Sequence, residues 1–538
     1  MFFSFYLAIG TYPLFDNNEG LYAGIAKHML LSKDFIIPQL NGVPYIEKPP
    51  LLYWLLAISF SIFGYTAFSA RLVTTTSAVL TCIMMVYFTK KIKLSQIGII
   101  GALIFSSSIG ICIIARMVYF DMLFTFLIGS TLFCWFYWYE YHEVSFLRVG
   151  YLLLGLAIMT KGLVAVVLVG GSFIIFLLME KDFRRLYQMF DIWGIALLLA
   201  IILPWHIIII IRHKGFAWRY FIDEHVLRYL NQREPHDYYH GSIFYYIPRI
   251  PIYLFPWSLF IPLIFWRINN ISVIEKRLLC FSWCWLVIPL IFFSLSSAKA
   301  NYYMIVSAPA IAILLGLKIK HLSQKFYSNV FGVWTAVILF MISLVLLWVL
   351  CSISTTVLHL DKIVKIILVI SIGYCFISSI MAIALMHRQN IIIIMLACFI
   401  VPAVVLIVSY INTITDKLST AAAGRYLVSK SINHSLYLYQ DFENISALSF
   451  YVPCCFKIID SHSNDLYYGK NISKFDELFP TKKIFLHSAR KQQVYVVVPS
   501  KKLSIFYKEM HPVKFTLLKE FDRVVIVVSK AFNSNENP

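Results

Sequence analysis

The sequence runs to 538 residues, 60% of them hydrophobic and 14% charged, with a mean hydropathy of +0.77. Soluble globular chains carry about 25% charged residues, so a wholly water-facing protein is excluded, and no alternating pattern of a membrane barrel is present. The formal net charge of +19 is gathered in short loops between apolar runs, which is the signature of membrane topology and not of a nucleic-acid surface.

In chain order, residues 1–11 form a partial crossing too short to span, expected to begin upstream of Met1 or to be tilted. A long polar segment, 12–50, follows. Within it Leu21, Ile25 and Met29 recur every four residues, which predicts an amphipathic helix on the membrane surface. Asp16 or Asn17 would cap that helix and Glu19 would complement its dipole. Asn41-Gly42 suits a tight turn, and Pro44, Pro49 and Pro50 stiffen the stretch that presents Glu47 beside Lys48. Residues 51–63 are apolar but short, and are read as a helix lying at the interface.

Crossings are predicted near 70–89, 98–115, 122–139, 148–160, 163–179, 192–211, 248–266, 279–296, 304–317, 329–351, 364–385 and 391–412. With the first partial one, this is a mainly α, polytopic membrane protein of about thirteen crossings. Short basic loops at Lys90-Lys91, Arg148, Lys181, Arg185, Lys276-Arg277 and Lys318 place one set of ends in the cytoplasm. By parity the loops 12–69 and 212–247, and everything after 411, share the outer face. The expected division is therefore a membrane domain, 1–411, and a soluble α/β domain, 412–538. In that tail 421–431 has helical spacing, and short apolar runs at 436–439, 447–452, 494–498 and 524–528 read as strands.

The ten cysteines show no zinc spacing; most sit in apolar runs as small hydrophobes, and adjacent Cys454 and Cys455 suggest no disulfide. The crossings are nearly free of charge, which argues against a proton-coupled transporter. Ionisable groups collect instead at outer ends: Arg116 and Asp121 in one short loop, Lys161 in another, and Lys299 with Tyr302-Tyr303 after the 279–296 crossing. The loop 212–247 holds Asp223, Glu224, His225, Arg228, Arg233, His236, Asp237 and His240. Three histidines beside carboxylates point to a metal ligand. The plain structural readings are an Arg116–Asp121 ion pair and snorkelling lysines at 48 and 161.

Taken together these motifs resemble the GT-C superfamily of membrane glycosyltransferases, in its aminoarabinose transferase and protein O-mannosyltransferase branch. The residues that carry the resemblance are 16–23, 40–52 with Glu47-Lys48-Pro49-Pro50, 115–122, Thr160-Lys161-Gly162, Pro204-Trp205, Glu224-His225, 245–248, 256–258 and 292–303. Residues 446–452 look like a strand of the family's outer domain. The resemblance implies a hexosyl- or pentosyltransferase with a polyprenyl-phosphate sugar donor and a glycolipid acceptor such as lipid A. It would sit in the bacterial inner membrane with the C-terminal domain periplasmic, among membrane lipids and without nucleic acid.

It also implies roles. Asp16, Asn18, Glu19 and Asp121 fall where acids assist the acceptor hydroxyl. Lys48, Arg116, Lys161, Lys299 and Tyr303 fall where the donor phosphate is held. Glu47 and His240, with His225 and His236 as rivals, match a divalent metal site for Zn, Mg or Mn. One departure stands out: where lipid A transferases often carry Asp-Glu followed by Arg, this chain has Asn18-Glu19-Gly20-Leu21. Asp16 or Glu19 would then serve, or activity is lost. Rival readings are a protein O-glycosyltransferase, a multispan transporter and a non-catalytic relative.

Overall fold

The computed structural model describes residues 3–529 except 237–240, 323–331, 356–361, 386–387, 433–435, 454 and 472. The chain folds as two compact units. One comprises Met1–Ile9 and Arg71–Tyr410; the other comprises Gly10–Ala70 and Ile411–Pro538. The segment 12–69 thus belongs to the same unit as the C-terminal segment.

The first unit is helical. Eight helices among the described residues are long and apolar enough to cross a membrane, or nine when one bent pair counts as a single crossing. The innermost, Phe120–Tyr141, is buried along nearly its whole length. Its aromatic side chains interlock with neighbouring helices: Phe133 meets Trp285 edge-on at 5.6 Å, and Phe136 meets Phe281 at 4.8 Å. Such contacts add to the burial of the rings themselves. By contrast Ile192–Arg212 leaves Ile207, Ile208 and Ile211 exposed, as a lipid-facing helix does.

Among the described residues the expected count of thirteen is not reached, for specific reasons. At the start only Phe3–Tyr6 is helical, and Val164–Met179 has just 16 residues. The expected crossing at 248–266 is a short helix, Arg249–Leu254, followed by a 3-10 stretch, Trp257–Phe265; Pro256 and Pro262 deny it the amides a continuous helix needs. The expected crossing at 98–115 is a pair of helices, Ser95–Ser107 and Ile109–Ala115, bent by 71° as in a broken crossing or a re-entrant loop. There Ile109 N–H donates to Phe255 O at 2.9 Å, and Trp257 Nε1 donates to Ser107 Oγ at 2.8 Å. The ladder is interrupted because the neighbouring broken segment supplies partners for the freed backbone.

The second unit is α/β. Its hairpin pairs β1 (Gln39–Leu40) with β2 (Val43–Pro44), and Asn41 (φ 52) and Gly42 (φ 80) make the expected tight turn. A second sheet holds β3 (Leu436–Tyr439), β4 (Lys457–Ile459), β5 (Tyr495–Pro499), β6 (Phe515–Glu520) and β7 (Val524–Ser529). Its order is β4-β3-β5-β7-β6, with β3 parallel to β4 and β5 and the remaining pairs antiparallel. Helices Lys482–Lys491 and Leu503–Met510 cover one face through Phe485, Ala489, Phe506 and Met510.

Two local expectations are corrected here. The run 446–452 is not a strand: it follows a 3-10 turn at Glu443–Ile445 and contains a short helix at Leu448–Tyr451. Asn18–Ser32 is a helix, but not an amphipathic surface one. Leu21 to Lys27 are all buried, on every side of the helix. Small residues explain this: a Cβ on Gly20 would lie 2.4 Å from Ala447 Cα, and one on Gly24 would lie 2.3 Å from Ser449 Oγ. The every-fourth-residue pattern marks only one of the faces this helix buries.

Candidate functional site

In the first unit, Phe120–Tyr141 begins with Asp121 in its first turn and Val144–Lys161 ends on Lys161. Each charge suits its helix end, an acid at the positive terminus and a base at the negative one. They meet: Lys161 Nζ donates to Asp121 Oδ1 at 2.5 Å, with side-chain exposures of 12% and 5%. The expected Arg116–Asp121 pair is therefore replaced by Lys161–Asp121. Arg116 turns away and donates to the carbonyls of Ser4 (3.0 Å) and Leu7 (2.5 Å), closing the end of the short Phe3–Tyr6 helix.

Lys161 also lies over the Tyr303 ring, Nζ 5.0 Å from its centroid. From there a line of aromatic contacts runs through Phe293 (5.0 Å) and Tyr246 (6.2 Å) to Lys299, whose Nζ is 5.7 Å from the Tyr246 ring. Lys299 is buried and donates to the carbonyls of Phe293, Ser294 and Ser296 at 2.7–3.2 Å. It satisfies the last turn of Val273–Leu295, and burial lowers its pKa. Of the sequence candidates, Asp121, Lys161, Tyr303 and Lys299 thus share one contiguous cluster, with Lys299 committed to backbone.

Sequence reasoning missed Arg249 in this unit. Its Nε donates to Asn301 Oδ1 at 3.0 Å, and its guanidinium stacks 3.4 Å from the centroid of Tyr245. The signal was present in the aromatic run beside it, but a single arginine after Ile247-Pro248 carries no spacing of its own.

The loop 212–247 is organised by Glu224 rather than by histidines. Glu224, 1% exposed, faces Arg233 Nε at 2.9 Å, Arg228 Nη1 at 3.1 Å and Arg219 Nη2 at 3.6 Å. His225 uses both ring nitrogens: Nδ1 lies 2.6 Å from Tyr220 O, and Nε2 accepts from Leu163 N–H at 3.1 Å. That pattern makes it a neutral ring that fastens the turn at Gly162, where φ is +79. His236 Nδ1 lies 2.8 Å from Arg233 O. His240 and Asp237 lie outside the described residues. No three His, Cys, Asp or Glu side chains gather to hold a metal among the described residues.

In the second unit, Asp16 is wholly buried. Its Oδ1 accepts from Ala447 N–H at 2.9 Å and Thr420 Oγ1 at 2.8 Å, while Arg523 Nε lies 3.2 Å from Oδ2. Desolvation outweighs these contacts and raises its pKa from 3.8 to about 6. Glu19 Oε2 accepts from Phe15 N–H at 3.0 Å, a return to the backbone just ahead of its own helix. Asn18 opens that helix and is half-buried.

Glu47 and Lys48 follow the hairpin and are half-buried; Tyr45 Oη donates to Glu47 Oε2 at 3.3 Å. Burial first, then the charges of Glu47 and Asp465, push the hydroxyls of Tyr45 and Tyr53 well above their usual range. Asp465, from the C-terminal segment, is thus an acid of this region that sequence spacing did not reveal. Asn41 clamps the same hairpin, donating to Phe456 O at 2.9 Å and accepting from Phe456 N–H at 2.8 Å.

Residues 47–208 match the family described as dolichyl-phosphate-mannose-protein mannosyltransferase. A protein of Aquifex aeolicus (strain VF5) is 30% identical over 347 residues, 63% of this chain and 75% of its own. The undecaprenyl phosphate-alpha-4-amino-4-deoxy-L-arabinose arabinosyl transferase of Yersinia enterocolitica is 29% identical over 334 residues, 60% of this chain and 58% of its own. A transferase of the same description from Pseudomonas fluorescens is 27% identical, again matched over little more than half its length, 57%. Among solved structures, ArnT from Cupriavidus metallidurans bound to undecaprenyl phosphate shares the fold, with a TM-score of 0.84 at 19% identity over 99% of this chain and 97% of that one.

Proposed function

We propose that this chain, which belongs to the GT-C superfamily of membrane glycosyltransferases and is aminoarabinose transferase-like, moves a sugar from a polyprenyl-phosphate donor to lipid A or another envelope glycolipid. The reaction would take place on the periplasmic side of the inner membrane. The observation that carries the reading is the buried Asp121–Lys161 pair against Tyr303, set at the ends of two helices whose apolar spans carry few charges. The names of the similar transferases support the donor class.

Transfer forms a bond from an acceptor hydroxyl oxygen to the sugar's anomeric carbon and breaks the bond from that carbon to phosphate. The departing polyprenyl phosphate is an anion, and a preorganised ammonium near it lowers the barrier. Lys161 keeps N–H groups beyond the one given to Asp121. Asp121, paired with Lys161 in the first turn of its helix, accepts the hydroxyl proton. Tyr303 provides a face against which a sugar ring packs. Asp16 and Glu19 are engaged by the fold of the second unit and are assigned structural roles. With Asn18 in place of an acid, this assignment puts the proton-accepting carboxylate on Asp121.

Purified full-length protein with a polyprenyl-phosphate sugar and a lipid A acceptor tests the reading. Lys161→Ala is expected to lower transfer by about 10²–10³-fold, and Asp121→Asn comparably. Parent-like transfer by both variants would remove this cluster from catalysis. A protein acceptor is the second reading, motivated by the mannosyltransferase match over 47–208; the same assay with an unfolded acceptor protein separates the two. Divalent metal binding that depends on Glu47 or on His240 is a separate proposal. Glu47→Ala with His240→Ala should lower the metal content of the purified protein, and unchanged content would end it.

A further inference from the structure

The five-stranded sheet carries a feature that the transfer reaction does not use. Helices Lys482–Lys491 and Leu503–Met510 both pack on one sheet face through Phe485, Ala489, Phe506 and Met510, so their opposite sides look away from the sheet together. Those sides are cationic. Lys483, Arg490 and Lys491 on the first helix, and Lys501 and Lys508 at the second, are all exposed. None of these five is in an ion pair among the described residues.

Acids are few among them. Between 482 and 520 the only acids are Glu509 and Glu520, and exposed Glu520 pairs with Val525, which puts one acid on the helix-bearing side at the sheet edge. Glu509 accepts from Tyr439 Oη at 2.9 Å, on the covered face of the sheet, and Lys502 is taken up by Asp441 at 2.9 Å. Apolar side chains stand out among the cations: Ile484 is 59% exposed and Ile505 49%. At the sheet edge, β6 adds exposed Leu517, which pairs with Val527 and so lies on the helix-bearing side.

A merely solvated face mixes both signs of charge more evenly. A face so dominated by cations, with aliphatic groups standing among them, matches a phospholipid surface: the ammonium and guanidinium groups meet head-group phosphates, and the aliphatic groups enter the acyl boundary. We propose that this helix-bearing face is a docking surface for an anionic phospholipid bilayer.

The test uses the full chain in nanodiscs of phosphatidylcholine, with and without phosphatidylglycerol, read by hydrogen–deuterium exchange. Peptides from 482–491 and 503–510 should exchange severalfold more slowly in the anionic discs, and the protection should fade in high salt. A variant with Lys483→Gln, Arg490→Gln, Lys491→Gln and Lys508→Gln should lose it, while β5 and β7 exchange as in the parent. Equal exchange of the native chain in both discs overturns the proposal. So does equal protection in neutral discs by inorganic phosphate alone, which would make this a site for a free anion. The lipid and salt comparisons use the unaltered protein and decide the matter even if the variant misfolds.

Discussion

The two units handle buried charge differently. In the first unit each buried charge has a partner of opposite sign or a row of carbonyls: Asp121 has Lys161, Glu224 has three arginines, and Arg116 and Lys299 close helix ends. In the second unit Asp16 is wholly enclosed, and desolvation outweighs its two neutral donors and Arg523, so its charge costs free energy and its pKa rises to about 6. Charges compensated in place can be aimed at a substrate without moving. A charge that is poorly compensated makes local stability depend on pH.

The strongest way to sharpen that contrast is to remove Glu224. Glu224→Ala leaves Arg219, Arg228 and Arg233 around an empty site, and breaking a buried ion pair from one side costs about 3–5 kcal/mol. Rapid hydrogen exchange or proteolysis in 218–236 should follow, with the membrane helices intact; an unchanged loop would mean that Glu224 does not organise it.

Asp16 gives the opposite behaviour. A carboxyl whose folded pKa is raised is stabilised by protonation, so its contribution is most favourable below about pH 4 and declines as pH rises towards 6. The rise from 3.8 to about 6 corresponds to about 3 kcal/mol at most. Asp16→Asn, which keeps an acceptor for Ala447 and Thr420, should flatten the pH dependence of exchange in the second unit between pH 4 and 7. The same slope in parent and variant would contradict the assigned pKa.

The smallest expected effect is at Gly162. A Cβ there would lie 2.3 Å from His225 Nε2 and 2.5 Å from Tyr220 Oη, at φ +79. Gly162→Ala should cost about 1–2 kcal/mol through backbone strain and the displaced ring. A melting temperature equal to the parent's would mean that the His225 fastening is dispensable.

Much of this was legible in sequence because it is local. Apolar length located most crossings, Asn41-Gly42 gave the hairpin turn, and the short runs at 436–439, 494–498 and 524–528 became β3, β5 and β7. What failed depends on partners distant along the chain. The Asn18–Ser32 helix is buried on all sides from Leu21 to Lys27 because 446–449 comes to its glycines, and nothing near residue 20 announces that. Asp121 met Lys161 rather than Arg116, since helix ends 40 residues apart meet only in the packed unit. Asp465 and Arg249 lacked any motif. The break at 108 was hidden because Phe255, which supplies the substitute hydrogen bond, lies far along the sequence.

The central claim is that a lipid-linked sugar is delivered to an envelope glycolipid. Mass spectrometry of lipid A and envelope glycans, from cells with the gene, without it, and with the Lys161→Ala variant, tests it most directly. The account predicts that one glycolipid loses a single sugar mass in both altered strains. Glycolipids of identical mass in all three strains would contradict it.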